Sequence, residues 1–219
     1  MSPRRPDSMS AVDAQALLRG HRIMPVYTPS SVDEARAVAR ALVAGGIGAI
    51  EVTLRTPAAM GAVAALVREV PDMQVGAGTV LEVEQLRRLK DIGAAFAVSP
   101  GSTRELLEAA AELEIAYLPG VATGSEVMAA LAAGHRLLKV FPAEPINALE
   151  LIDAWRGPFA QARFCPTGGI DAARARDYLR RANVACLGGS WLTPADALRD
   201  GDWARIEGLA REAVALAAQ

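Results

Sequence analysis

The chain has 219 residues, 52% of them hydrophobic and 22% charged, with a formal net charge of −2. That is enough apolar material for one sizeable core and too little positive charge for a nucleic-acid groove or an anionic membrane surface, so small-molecule chemistry is favoured. Two cysteines without CxxC spacing, Cys165 and Cys186, argue against a disulfide scaffold and for buried thiols in a reducing cytoplasm, and no apolar run approaches the roughly 18 residues of a membrane span.

Residues 1–9 lack the apolar centre of a signal peptide and read as a loose tail before a single domain over residues 10–219. A helix is expected over Ala11–Arg19. Strand-like runs follow near Arg22–Tyr27, Ile47–Leu54, Met73–Thr79, Ala95–Ser99, Ile115–Leu118, Leu137–Phe141, Ala162–Cys165 and Val184–Leu187. Each precedes a helical stretch rich in Ala, Leu, Arg and Glu. Three helix starts carry a capping-box spelling, Ser31 with Glu34, Ser102 with Glu105 and Thr123 with Glu126. Eight such repeats predict an α/β fold, a single-domain (β/α)8 TIM barrel with an extra N-terminal helix. Dinucleotide and P-loop readings are disfavoured: Gly76-Ala77-Gly78 lacks the third glycine, and no G-x-x-x-x-G-K-[ST] occurs.

The site of such a barrel lies at the C-terminal ends of its strands. Of 23 Lys+Arg only Lys90 and Lys139 are lysines, and Lys139 sits inside the apolar run Leu137-Leu138-Lys139-Val140-Phe141. Burial disfavours an ammonium relative to the neutral amine, the form that attacks a carbonyl. On the residues alone, Lys139 reads either as such a nucleophile or as a structural lysine paired with a carboxylate. Strand two puts Glu51, Thr53 and Arg55 on one face and Ile50, Val52 and Leu54 on the other, so Glu51 can share the barrel interior with Lys139. The alternative there is a structural ion pair between Glu51 and Arg55. Thr167-Gly168-Gly169 after strand seven and Gly188-Gly189-Ser190 after strand eight read either as plain turns or as a phosphate seat built from backbone N–H groups. His21 and His135 belong to no ligand-spaced cluster, so no metal is expected. Arg87, Arg88, Arg174, Arg176, Arg180 and Arg181 read as solvated helix faces, and Trp155, Trp191 and Trp203 as packing residues.

Gly46-Ile47-Gly48-Ala49-Ile50-Glu51-Val52-Thr53-Leu54-Arg55, Val75-Gly76-Ala77-Gly78-Thr79-Val80, Val98-Ser99-Pro100-Gly101, Leu137 through Glu144 and Phe164-Cys165-Pro166-Thr167-Gly168-Gly169-Ile170 closely resemble the bacterial 2-keto-3-deoxy-6-phosphogluconate (KDPG) and 4-hydroxy-2-oxoglutarate (KHG) aldolases. The similarity runs from about Ile23 to the C-terminal helix. It implies a cofactor-free, metal-independent class I aldolase of the cytoplasm, working as a homotrimer on a small 2-keto acid and cleaving KDPG to pyruvate and glyceraldehyde 3-phosphate. It further implies Lys139 as the Schiff-base lysine and Glu51 as the proton shuttle. Arg55 and Thr79 would hold the substrate carboxylate, Phe141 and Pro100 shape the pocket, and Gly168, Gly169 and Ser190, with Thr167 nearby, receive the phosphate. Pro145-Ile146-Asn147-Ala148 is shorter than the Gly-containing segment that the family often carries there. Competing readings are an aldolase for the galactonate-derived epimer, and a phosphate-binding isomerase or epimerase, which has no need of a buried lysine.

Overall fold

The computed structural model describes residues 21–218, so the expected tail and the helix over Ala11–Arg19 lie outside the described residues. Strands and helices alternate: β1 (Ile23–Tyr27), α1 (Val32–Ala44), β2 (Ala49–Thr53), α2 (Ala59–Glu69), β3 (Gln74–Gly78), α3 (Val83–Ile92), β4 (Phe96–Val98), α4 (Arg104–Glu112), β5 (Ala116–Leu118), β6 (Gly120–Val121), α5 (Gly124–Ala132), β7 (Leu137–Val140), α6 (Ala148–Trp155), β8 (Arg163–Pro166), α7 (Ala172–Leu179), β9 (Leu187–Gly189), α8 (Ala195–Asp200) and α9 (Trp203–Ala217). All strand pairs are parallel. They form a six-stranded sheet in the order β5-β4-β3-β2-β1-β9 and a three-stranded sheet in the order β6-β7-β8. No helix among the described residues is long and apolar enough to cross a membrane.

The expected fifth strand forms as β5 and stops at Pro119, which has no N–H to give a ladder, and the short, unexpected β6 begins directly after it. Pro119 still accepts, taking the Lys139 N–H at 2.9 Å. The last strand also moves. It runs over Leu187–Gly189, with Val184 making only an isolated bridge to Phe164. Gly188 and Gly189 are therefore strand residues paired with Met24 and Pro25 of β1. They are glycines because neighbours fill their side-chain space: a Cβ on Gly188 would lie 2.2 Å from Thr167 Oγ1, and one on Gly189 would lie 1.7 Å from the Trp191 ring.

One of the three expected boxes closes fully and one only by half, the Glu34 carboxylate taking Ser30 instead of the Ser31 N–H. Ser31 accepts the Glu34 N–H at 3.1 Å, and Thr123 and Glu126 complete a reciprocal box. The third shifts by one residue. Ser102 Oγ donates instead to Gly120 O at 3.1 Å, so Thr103 caps α4 by accepting the Leu106 N–H. A further box, Glu82 with Gln85, starts α3.

Alternation along the strands separates two apolar cores. Ile50, Val52, Val75, Ala77, Leu138 and Val140 pack under helices, with Leu42, Leu66 and Leu86 among their cover. The opposite strand faces enclose a smaller cluster that includes Met24, Ala49, Phe96, Val98, Leu137, Cys165 and Cys186. Gly76 makes room there for Phe96, whose ring would sit 2.2 Å from a Cβ at that position. Both cysteines are free, and contact with Cys165 together with burial pushes the Cys186 thiol up. Trp155 meets Phe159 edge-on and Phe164 at a tilt, in the packing role its sequence position implied.

His135 is a buried member of this frame. Its Nε2 lies 3.3 Å from Leu107 O, and its ring meets Tyr117 edge-on at 5.4 Å. Burial lowers its pKa below the ordinary histidine value, against the pull of the Leu107 carbonyl and with help from Arg136. Lowered basicity means that the unfolded chain takes up the proton first as pH falls below about 6.5. Stability should therefore drop between pH 7.5 and 5.5, and His135→Gln should flatten that drop in urea titrations; an unchanged difference between the two pH values would refute the assignment.

Candidate active site

β2 carries Glu51 at its centre, and β7 carries Lys139 one residue before its end, both to the enclosed face. Lys139 Nζ donates to Glu51 Oε1 at 3.0 Å, with side-chain exposures of 3% and 0%. Glu51 Oε2 is buried and has no partner among the described residues. Two desolvated charges are a costly way to hold a core together, because apolar side chains of the same volume often do it as well or better. Lys139 Nζ also lies 5.2 Å from the Phe141 ring centre, on the ring's electron-rich face. The Glu51–Arg55 pairing considered from the sequence does not form. Past the end of β2, Arg55 is exposed and donates from Nε to Thr79 Oγ1 at 3.0 Å. Thr79 holds a positive φ of 60°.

Beside the ion pair opens a cavity of about 140 Å³ whose lining includes Arg55, Lys139, Phe141, Thr167, Gly168, Gly169 and Ser190. Eight of the residues singled out from sequence thus converge, with Glu51 directly behind Lys139. Thr79 reaches the site through Arg55. Pro100 stands behind the wall: its backbone lies so close to Gly120 that a Cβ there would approach the Pro100 carbonyl carbon to 2.3 Å. Below it Ser99 Oγ meets the Tyr117 hydroxyl at 2.5 Å, and burial pushes that phenol up to about 12 against the lowering effect of Ser99. Thr167 is buried, and its hydroxyl donates to Cys165 O at 3.3 Å.

Three cavity residues were not singled out from the sequence, Val26, Thr28 and Ile170, while Gly188 of the expected glycine seat also lines it. Thr28 Oγ1 lies 2.7 Å from the buried Thr53 Oγ1, which gives that inward-facing threonine of β2 its partner. Gly78 was also missed. It faces the enclosed side beside Thr53, and a Cβ on it would come within 1.9 Å of Glu51 Oε1. The available signal was parity, because Gly76 and Gly78 both fall on the inward face of β3, where a missing side chain means that a neighbour occupies the space. Arg174 is not a purely solvated arginine, since its Nε donates to Glu144 Oε2 at 3.2 Å.

Residues 14–209 match the family described as KDPG and KHG aldolase. The chain belongs to this family. It is 49% identical over 201 residues to the KHG/KDPG aldolase of Escherichia coli (strain K12), covering 92% of this chain and 94% of that protein. Among solved structures, a KDPG aldolase from Legionella pneumophila with pyruvate captured at low pH as a covalent carbinolamine intermediate superposes with a TM-score of 0.87. It is 42% identical, over 90% of this chain and 96% of that one. The KDPG aldolase of Zymomonas mobilis ZM4 with 3-phosphoglycerate gives a TM-score of 0.86 at 43% identity, covering 92% and 94%.

Proposed function

We propose that the chain is a class I aldolase that cleaves KDPG to pyruvate and glyceraldehyde 3-phosphate and also acts on KHG. The observation that carries this is the buried contact of Lys139 with Glu51 at the floor of an open cavity. Membership of the family adds to it, as does the carbinolamine captured in the Legionella relative, a covalent adduct of pyruvate.

In this reading Lys139 Nζ attacks the C2 ketone, water leaves, and a protonated imine forms. The C3–C4 bond then breaks and its electron pair flows into the imine to give an enamine. Glu51 takes the C4 hydroxyl proton, directly or through one water, so that C4 departs as an aldehyde. Its unpartnered Oε2 supplies the lone pair. The proton returns to C3, and hydrolysis of the resulting imine frees pyruvate and the amine. Arg55 would hold the substrate carboxylate through two parallel hydrogen bonds; Thr79 at its Nε fixes the guanidinium plane for that task. Phe141 bounds the reacting carbons, and Pro100 shapes the pocket from behind the wall. Gly168, Gly169 and Ser190 take the phosphate of the substrate, with Thr167 bracing the loop.

We further read the two sheets as one closed (β/α)8 barrel within a single domain over residues 10–219. β5 and β6 are one strand split at Pro119, and the bridges Phe164–Val184 and Thr167–Gly188 join β8 to the β9 side. A homotrimer follows the family resemblance, and exposed Leu81 and Met128 are apolar side chains that a subunit contact would cover. Cys165 and Cys186 are adjacent yet unjoined, which fits a reducing cytoplasm.

Borohydride reduction in the presence of pyruvate tests the central step. Intact mass and peptide mapping should find one pyruvyl adduct, on Lys139; no adduct there would sink the Schiff-base reading.

A further inference from the structure

The turn that follows β7 and the turn that follows β8 are laced together by main-chain bonds. Ala143 N–H donates to Thr167 O at 2.8 Å, and Glu144 N–H donates to Gly168 O at 3.0 Å. A trans peptide is planar, with its C=O and the next residue's N–H on opposite sides. Fixing the carbonyls of Thr167 and Gly168 toward residues 143 and 144 therefore turns the amides of Gly168 and Gly169 away from that turn. Both glycines line the cavity, and both hold positive φ, +106° and +80°. Successive amides presented by such a turn form a concave seat for an anion.

The Glu144 side chain secures the other end of the same segment. Its carboxylate accepts from Tyr178 OH at 2.7 Å and from Arg174 Nε at 3.2 Å, both on α7, the helix into which the glycine turn runs. Arg174 answers its charge, so a carboxylate can stand near a phosphate seat. Contact continues at Gly169, where a Cβ would lie 2.9 Å from Glu144 Cβ. One residue thus grips the turn by its amide and the following helix by its carboxylate. Because Glu144 lies five residues beyond Lys139 on the same continuous segment, it also ties this seat to the strand that carries the amine.

Resting on the aldolase reading above, we propose that Glu144 is a positioning residue that aims the Gly168 and Gly169 amides at the substrate phosphate through its clamp on α7. It does not touch the substrate. The consequence is selective: loosening the clamp should weaken binding of phosphorylated substrates and spare those without a phosphate.

The test compares steady-state kinetics of wild type, Glu144→Gln, Glu144→Ala and Tyr178→Phe on KDPG and on KHG, which carries no phosphate. For KDPG, KM should rise about tenfold in Glu144→Ala and about threefold in Tyr178→Phe, with Glu144→Gln between them, as expected for the loss of one or two hydrogen bonds. On KHG, kcat and KM should stay within about twofold of wild type, and borohydride trapping of pyruvate should be unchanged. Equal losses on both substrates would mean a general structural role and overturn the proposal, as would no change on either. Tyr178→Phe deletes a single hydroxyl and keeps the question decidable if the alanine variant does not fold. Failure of the phosphate-seat assignment itself is visible separately, in a wild type that gains nothing from a substrate phosphate.

Discussion

Lys139→Ala is expected to lose turnover to background and to form no pyruvyl adduct under borohydride. Among the described residues that line the cavity, Lys139 alone carries an amine able to form the imine of the proposed mechanism. A second consequence follows from burial. Removing Lys139 strands the Glu51 carboxylate at 0% exposure, and breaking a buried pair from one side typically costs about 3–5 kcal/mol. The variant should therefore melt in less urea than wild type. Adding Glu51→Gln should restore part of that stability and none of the activity. The double variant separates the two roles of the pair: a purely structural lysine would lose stability while cleavage continued, and measurable cleavage by Lys139→Ala would end the nucleophile assignment.

The second large effect concerns the proton. In Glu51→Gln, kcat should fall by about 10² to 10⁴, the usual worth of a positioned acid–base group, while the pyruvate adduct on Lys139 still forms in part. Gly78→Ala should approach the same phenotype without altering either charged group. The added methyl carbon would stand 1.9 Å from Glu51 Oε1 and 2.5 Å from its carboxyl carbon, so the carboxylate must move. Displacements of about 1 Å at a reacting group can cost on the order of 100-fold in rate. Single-turnover cleavage and trapping, measured on both variants, check this. Gly78→Ala with wild-type kcat would show that the carboxylate's position is not critical.

The Lys139–Glu51 contact was more legible in the sequence than the supports around it. Lys139 stood out because charge inside an apolar strand is costly, and Glu51 because alternation along β2 gave it the same face. Arg55 was placed on that face too, but the strand ends at Thr53, and beyond it the side chain turns out to Thr79. Gly188-Gly189 looked like a turn because glycine pairs usually are; the rings and hydroxyls that fill their side-chain space come from Thr167 and Trp191, and sequence spacing does not reveal that occupancy. Ser102 spelled a cap, yet its hydroxyl was claimed by Gly120 from the neighbouring strand. Thr28 lies just past β1 among Pro29, Ser30 and Ser31, where no periodicity points anywhere. Arg174 was assigned to solvent because local helix pattern cannot register a carboxylate arriving from another loop.

The small apolar cluster under the Lys139–Glu51 pair also bears on access to the amine. Leu137, Phe96, Cys165 and Cys186, each at most 2% exposed, plug the space beneath Lys139, so in the proposed barrel the amine has a single doorway, the cavity beside it. The aldehyde leaves by that doorway, and the water that later releases pyruvate enters by it. While the aldehyde is still in place, it shares that one passage with the incoming water. The apolar floor thereby makes both products of the proposed cleavage share one exit.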